Sequence, residues 1–194
     1  LVTGSNGFIG QNMVNALKEK HEVSTYEWGQ QYPLLDGFDW VVHLGAISST
    51  TASDIRQIVT QNIESSIYLY EDCIKQNVNF QFASSASVYG RDPTSFKEDA
   101  DLDPYSHYAR SKALFENYIK IRKAPIVTQV FRYFNVYGPN EDHKGDQASP
   151  YTKFLKQAKE TGRVELFKNS EYFYRDFIHV DKITEYHQRF FSIQ

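Results

Sequence analysis

Tyr108 and Lys112, in the stretch YARSK, are the residues of this sequence best suited to move a proton. On a helix, that four-residue spacing puts both on one face, so an ammonium can stand beside a phenol. A free tyrosine ionises at about pH 10, and lowering that by about three units takes roughly 4 kcal/mol of preferential phenolate stabilisation. A neighbouring positive charge has the right sign to contribute. Upstream, in ASSASVYG, Ser85 could hydrogen-bond a reacting hydroxyl. A second lysine, Lys144, lies in the polar loop GPNEDHKGDQASP at 138–150. It is either an ordinary solvated loop charge or a second acid/base group. His143 beside it would push its pKa down if protonated, and Glu141, Asp142 and Asp146 would push it up if close.

These groups need a scaffold that brings distant residues together. The first apolar residues are followed by TGSNGFIG, with Gly4, Gly7 and Gly10. Glycines at a strand-to-helix turn let backbone amides approach a pyrophosphate at a helix N-terminus. Glu27 follows the next strand-like run, where a carboxylate can hold ribose hydroxyls and favour NAD, or simply be solvated. The oxidised nicotinamide of such a cofactor would be a second positive charge near Tyr108.

Ile9, Met13 and Leu17 mark a helix face opening at the glycines, and HEVSTYEW alternates as a strand. DWVVHLGA is a compact buried strand. Residues 53–76 are expected to be helical, with Asn77 as the stop, and VNFQFASS to be a strand. Residues 106–122 are expected to be a helix buried along Leu114, Tyr118 and Ile121. IVTQVFRYF reads as a strand, 151–160 as a helix, VELF as a strand and 181–191 as a helix. This alternation predicts an α/β fold, a Rossmann-type doubly wound parallel sheet with helices on both faces. Ligands of such sheets bind at the carboxyl ends of the strands. The expected division is a dinucleotide-binding domain over 1–137 and part of a smaller C-terminal substrate region over 138–194. Leu at position 1 and the apolar ending FFSIQ read as a piece of a longer chain.

The 194 residues are 41% hydrophobic and 23% charged, with net charge −3, an ordinary globular composition. No basic run calls for nucleic acid, and no apolar stretch approaches a membrane span. The one cysteine, Cys73, excludes an internal disulfide and fits a reducing compartment, the cytoplasm. The scattered histidines show no metal-ligand spacing. His43, inside an apolar strand, reads as a satisfied core histidine.

TGSNGFIG, DWVVHLGA, SSASVYG, YARSK, FNVYGP and RDFIHVD together resemble the landmarks of the extended short-chain dehydrogenase/reductase superfamily, the nucleotide-sugar epimerases and dehydratases. The resemblance runs nearly end to end. It implies a catalytic set of Ser85, Tyr108 and Lys112. It implies NADP or NAD held by Gly4, Asn6, Gly7, Phe8, Ile9, Gly10 and Glu27, by Leu44, Gly45 and Ala46, and by Tyr108 and Lys112. Asn62 is the implied relay position. The segment between the second strand and DWVVHLGA is short, with no clear third strand and acidic loop. Ala86 and Ser87 stand where the related 4,6-dehydratases carry an acidic pair, which disfavours elimination. GPNEDHKGDQAS, ISSTT and LFKNSEYFYRDF resemble the ADP-glycero-manno-heptose 6-epimerases, in which the lysine of HKG is regarded as the tyrosine's partner.

That resemblance implies an epimerase of surface-polysaccharide precursor synthesis that oxidises and re-reduces a sugar carbon, with Tyr108 and Lys144 in complementary roles. A lysine with a pKa of about 10.4 must be lowered to serve as a base. Ser48, Ser49, Asn135, His143 and Arg175 are candidate contacts to a nucleotide-sugar substrate. For Ser48 and Ser49 the plain alternative is a helix cap, for Asn135 a turn, and for Arg175 a surface ion pair with Asp176. The resemblance also implies homo-oligomers. Other readings are another NAD(P)-dependent nucleotide-sugar epimerase or reductase, or a non-catalytic dinucleotide-binding protein.

Overall fold

The computed structural model describes residues 1–91, 95–172 and 174–193, apart from the side chain of Asp146. Five parallel strands form the main sheet in the order β2-β1-β3-β4-β5: Thr25–Tyr26, Val2–Thr3, Trp40–His43, Asn79–Ser85 and Thr128–Tyr133. The chain runs outward from β1 to β2 and then crosses to β3 on the other side of β1. That reversal opens a crevice above the carboxyl ends of β1 and β3, the usual ligand position of this architecture.

Helices cover both faces. On one, α1 (Phe8–Lys18) and α6 (Val180–Phe190) pack Met13, Leu17 and Ile183 against Val2 and Val42. On the other, α3 (Ser65–Gln76) and α4 (His107–Arg122) pack Leu69, Tyr70, Cys73 and Phe115 against Phe80 and Phe82. The helix expected over 53–76 begins at α2 (Ile55–Ile58), capped by Asp54, and passes through a π-helical stretch, Val59–Glu64, into α3. Asn77 closes it in the left-handed conformation, φ 56°, a C-terminal stop that asparagine tolerates better than most residues.

Several expectations change. Leu114 and Ile121 are 56% and 71% exposed, because the buried edge of α4 runs through Ala109, Lys112 and Phe115 instead. VELF, at 164–167, forms no strand: among the described residues nothing pairs with it, and Phe167 is exposed. Two short strands unforeseen in the sequence, β6 (Asn135–Tyr137) and β7 (Phe177–His179), form a separate parallel pair. Between them lie a 3₁₀ turn, Asp142–Gln147, and α5 (Pro150–Thr161), capped by Ser149 with Pro150 in its first turn. Within 138–194, α6 returns to the main sheet. Its His187 places Nδ1 2.7 Å from Gln81 Oε1 and Nε2 2.5 Å from the Tyr133 hydroxyl. Gln81 is fully buried in β4 and also donates to the His187 carbonyl. A buried polar cluster of this kind is stable only when its members are satisfied, and these are.

Candidate active site

The crevice is a cleft of about 340 Å³ reached by residues from the ends of several strands. Its floor is the glycine loop. Gly4 has φ 66°, and a Cβ there would stand 2.6 Å from the Cα of Gly45, so the loops after β1 and β3 touch. At Gly10 a Cβ would lie 2.0 Å from the Gly4 carbonyl oxygen, which fixes how closely α1 approaches the loop. Thr3 and His43 join the same two strands beneath it. His43 Nδ1 is 2.6 Å from Thr3 Oγ1, its Nε2 is 2.8 Å from Ser66 Oγ, and the Thr3 oxygen accepts from the Gly45 amide. Burial, with Lys112 nearby, pushes the pKa of His43 down to about 3, so the ring is a neutral strut.

Glu27 reaches over the loop. Its Oε1 accepts from the Ser5 hydroxyl and the Asn6 amide, both at 2.7 Å, leaving Oε2 outside these bonds. A dinucleotide fits this cradle: side-chain-free glycines under the pyrophosphate position and a carboxylate at the ribose position. A carboxylate there opposes the extra phosphate of NADP and favours NAD. Gly4, Gly7, Phe8, Ile9, Gly10, Glu27, Leu44, Gly45 and Ala46 all line the cleft, while Asn6 stands behind, bound to Glu27.

Tyr108 and Lys112 enter from α4, which Ser106 starts by accepting from the Ala109 amide. Both line the cleft. The Lys112 ammonium donates to the Ala83 carbonyl at 2.7 Å and lies 5.8 Å from the Tyr108 ring centroid. Burial lowers its pKa to about 7, against the pull of Glu116. Ser85, on β4, accepts from the amide and hydroxyl of Ser87 and stands close enough to the Tyr108 phenol to favour its ionisation. Burial raises the pKa of Tyr108 above the ordinary value, and Ser85 pulls it partly back. The lowering expected from Lys112 is therefore not provided by the protein alone. Its ammonium is spent on Ala83 and is only partly charged near neutrality.

Lys144 also lines this cleft, from the 3₁₀ turn, with its ammonium 5.4 Å from the centroid of the Phe8 ring. Burial lowers its pKa, and Glu141 opposes that. The turn is pinned at both sides. Asn12 of α1 donates to the Pro139 carbonyl at 2.9 Å. The buried carboxylate of Glu141 accepts from the Ser149 amide (2.6 Å), the Ser149 hydroxyl (2.8 Å) and the Thr152 hydroxyl (2.5 Å) at the start of α5. His143 and Asp142 are exposed, neither lines the cleft, and the Asp146 side chain lies outside the described residues.

Asn62 is buried in the π-helical stretch. It donates to the Ile47 carbonyl and the Ser111 hydroxyl, both at 3.0 Å, and accepts from the Ile47 amide at 2.8 Å. It ties the loop after β3 to α4, and with this set of partners it is a brace between elements. Ser48 lines the cleft. Ser49 bonds Thr51 instead, and the helix cap offered as the plain reading of both serines is Asp54. The Asn135 amide is spent on the Asp176 carbonyl. Arg175 is exposed and donates to the Tyr174 carbonyl, neither lining the cleft nor pairing with Asp176. Sequence reasoning missed the Thr3–His43–Ser66 chain and the Glu141 clamp. Only Glu141 left a signal, a carboxylate ahead of the helix-starting Ser-Pro.

The model of the NAD dependent epimerase/dehydratase family matches residues 1–191. The ADP-L-glycero-D-manno-heptose-6-epimerase of Brachyspira hyodysenteriae is 32% identical over 229 aligned positions, covering 99% of this chain and 71% of that protein. The crystal structure of the Helicobacter pylori ADP-L-glycero-D-manno-heptose-6-epimerase superposes with a TM-score of 0.90 at 22% identity, over 100% of this chain and 73% of that one. The UDP-glucuronic acid 4-epimerase of Bacillus cereus, solved with NAD, superposes with a TM-score of 0.76 at 25% identity, over 94% and 70%.

Proposed function

The chain belongs to the NAD dependent epimerase/dehydratase family, and from that premise we propose that it inverts one carbinol carbon of a nucleotide sugar, an ADP-glycero-manno-heptose at C6. The observation that carries this reading is the meeting of Tyr108 and Lys144 in one cleft, from the first turn of α4 and from the turn pinned to α1. Inversion needs proton transfer at a hydroxyl whose carbon presents first one face and then the other. Two groups on separate elements can serve both orientations, where one alone requires the ketone to turn about a fixed oxygen.

When bound, NAD supplies the hydride acceptor and then the donor. The remaining work falls to the chain. Tyr108, kept protonated by burial, is the acid that gives its proton to the ketone oxygen. Lys144, its pKa lowered by burial, is the base that takes the hydroxyl proton, and the two exchange roles in the reverse direction. Ser85 holds the phenol, and Lys112, balanced near neutrality, can restore a proton to that end of the cleft. Ala86 and Ser87 follow Ser85 with no carboxylate to drive elimination. Ser48 is the one proposed sugar contact that lines the cleft.

We assign the protein to the cytoplasm, where the lone buried Cys73 stays reduced, and expect homo-oligomers. Among the described residues no helix is long and apolar enough to cross a membrane. The test is incubation with NAD and each C6 epimer of the ADP-heptose, with product configuration read by NMR. Both epimers should converge on one mixture without free NADH. Accumulating ketone and NADH would favour a reductase, and turnover of a UDP-hexose but not the heptose would overturn the substrate assignment.

A further inference from the structure

Three consecutive residues at the end of β4 meet three residues spaced by four along α4. Ser85 stands beside the Tyr108 phenol, the Ala83 carbonyl takes the Lys112 ammonium, and Ser84 donates to the Glu116 carboxylate. That spacing puts Tyr108, Lys112 and Glu116 along one side of the helix. Arg132, opposite Ser84 in the register of β5, takes the same carboxylate. Its Nη2 is 2.6 Å from Oε2, and its Nε is 3.1 Å from Oε2 and 3.2 Å from Oε1. Nη1 of Arg132 donates to the Glu98 carbonyl at 3.2 Å, and the guanidinium carbon lies 4.9 Å from the centroid of the Tyr89 ring. The segment that leads from Ser85 to α4 is thereby tied to the same arginine. The side chains of Arg132 and Glu116 are only 14% and 9% exposed. Apolar residues of similar volume often serve a fold as well as such an ion pair does, so packing alone leaves these charges unexplained.

Glu116 also bears on Lys112. Of the titratable groups that line the cleft with Lys112, burial holds His43, Tyr108 and Tyr133 uncharged near neutrality, and Lys144 carries the same sign of charge. Tyr26 and Glu27 stand at the glycine-loop end, where the Tyr26 carbonyl accepts from the Gly4 amide and Glu27 accepts from Ser5 and Asn6. Glu116 is the acid that opposes the effect of burial on Lys112.

We propose that Glu116 is the positioning residue of the proton-transfer pair: clamped by Ser84 and Arg132, it sets α4 over the end of β4 and provides the countercharge of Lys112. Arg132 limits that countercharge by neutralising part of it. The inference rests on the reading of Tyr108 and Lys112 as proton-transfer groups.

The test follows Glu116→Gln, Arg132→Gln and Ser84→Ala in the full chain. Lysine isotope-labelled at Cε is titrated by NMR without substrate, with the Lys112 signal identified by its absence in Lys112→Met. Steady-state epimerisation is measured over the same pH range. Glu116→Gln keeps an acceptor for Ser84 but removes the charge, so Lys112 should titrate about one pH unit lower. Arg132→Gln leaves the carboxylate uncompensated, so Lys112 should titrate higher. In Glu116→Gln, kcat should fall by about 10- to 10²-fold with KM close to wild type, and the kcat–pH profile should move with the lysine. A merely structural clamp predicts lost stability in both variants and a lysine titration that stays in place. Ser84→Ala also strips a donor from the carboxylate, should move Lys112 in the direction of Arg132→Gln, and decides the matter if the other two do not fold. A titration unmoved in the variants, or moved the same way by opposite charge changes, overturns the inference, as does a KM rise at unchanged kcat. Wild type that fails to epimerise the heptose counts against the proposed function instead, since the lysine titration reads Glu116 without substrate.

Discussion

Lowering the pH from 7.5 to 5 should destabilise this protein through two buried histidines. His43 braces β1 against β3 and α3, and His187 locks α6 to the sheet. Burial pushes the pKa of each to about 3, against an ordinary value of 6.5. A base whose folded pKa lies below its unfolded one binds fewer protons when folded. Its stabilising contribution is therefore complete above about pH 6.5 and drains away as the pH falls towards 3. At pH 5 the unfolded chain binds most of a proton at each site and the folded chain almost none, which costs about 2 kcal/mol per histidine, or about 4 kcal/mol together. That is a large share of the roughly 5–15 kcal/mol that holds a domain folded. Urea unfolding followed by circular dichroism at pH 7.5 and 5 measures the loss. The double variant His43→Gln/His187→Gln, whose amides keep donors and acceptors in place, separates these two groups from the carboxylates. Wild type should lose about 4 kcal/mol more than the double variant over this interval. Equal losses would show that the imidazoles do not govern acid lability and would refute the reasoning.

Tyr108→Phe and Lys144→Met should each lower epimerisation by about 10² to 10⁴-fold while NAD affinity by calorimetry stays near wild type; near-normal turnover of the Lys144 variant would return that turn to ordinary surface. Glu141→Ala strands three donors at the start of α5 and should cost about 1–3 kcal/mol in urea stability, with a kcat loss in the direction of the Lys144 variant; wild-type kcat would show that the clamp does not position Lys144. Gly10→Ala forces a methyl group onto the Gly4 carbonyl, and calorimetry should report a clear loss of NAD binding together with about 1–3 kcal/mol of stability. Glu27→Ala removes the carboxylate that opposes a ribose phosphate, so the ratio of NADP to NAD affinity should rise, and an unchanged ratio would place cofactor choice elsewhere.

The parts of this fold that were legible in the sequence are those with strong local rules. The glycine spacing after β1, the αL stop at Asn77 and the i, i+4 pair on α4 each follow from backbone geometry that few residue types satisfy. The parts that were not legible depend on partners far away in the chain. Leu114 and Ile121 have helical spacing, but the face that turns inward carries Lys112, because a buried backbone carbonyl at Ala83 receives its ammonium. VELF has strand-like residues but, among the described residues, no strand beside it, whereas FIH and NVY become strands because each finds the other. His187 and Gln81 are polar residues buried 106 positions apart, and nothing local to either announces the other. Arg175 and His143 had suitable chemistry, but their exposed placement, in the stretch before β7 and in the 3₁₀ turn, was a tertiary matter.

The π-helical stretch Val59–Glu64 works as a phase adjuster. Each residue of a regular α-helix turns the chain by about 100°, and a wider turn delays everything downstream. Here the delay lets Asn62 face the junction of the β3 loop with α4 while Leu69, Tyr70 and Cys73 still land on the sheet. The two halves of this long helix thus answer to different neighbours, with the count of residues between them as the link. Trimming one residue to make the coil more regular would leave a better helix and a broken joint.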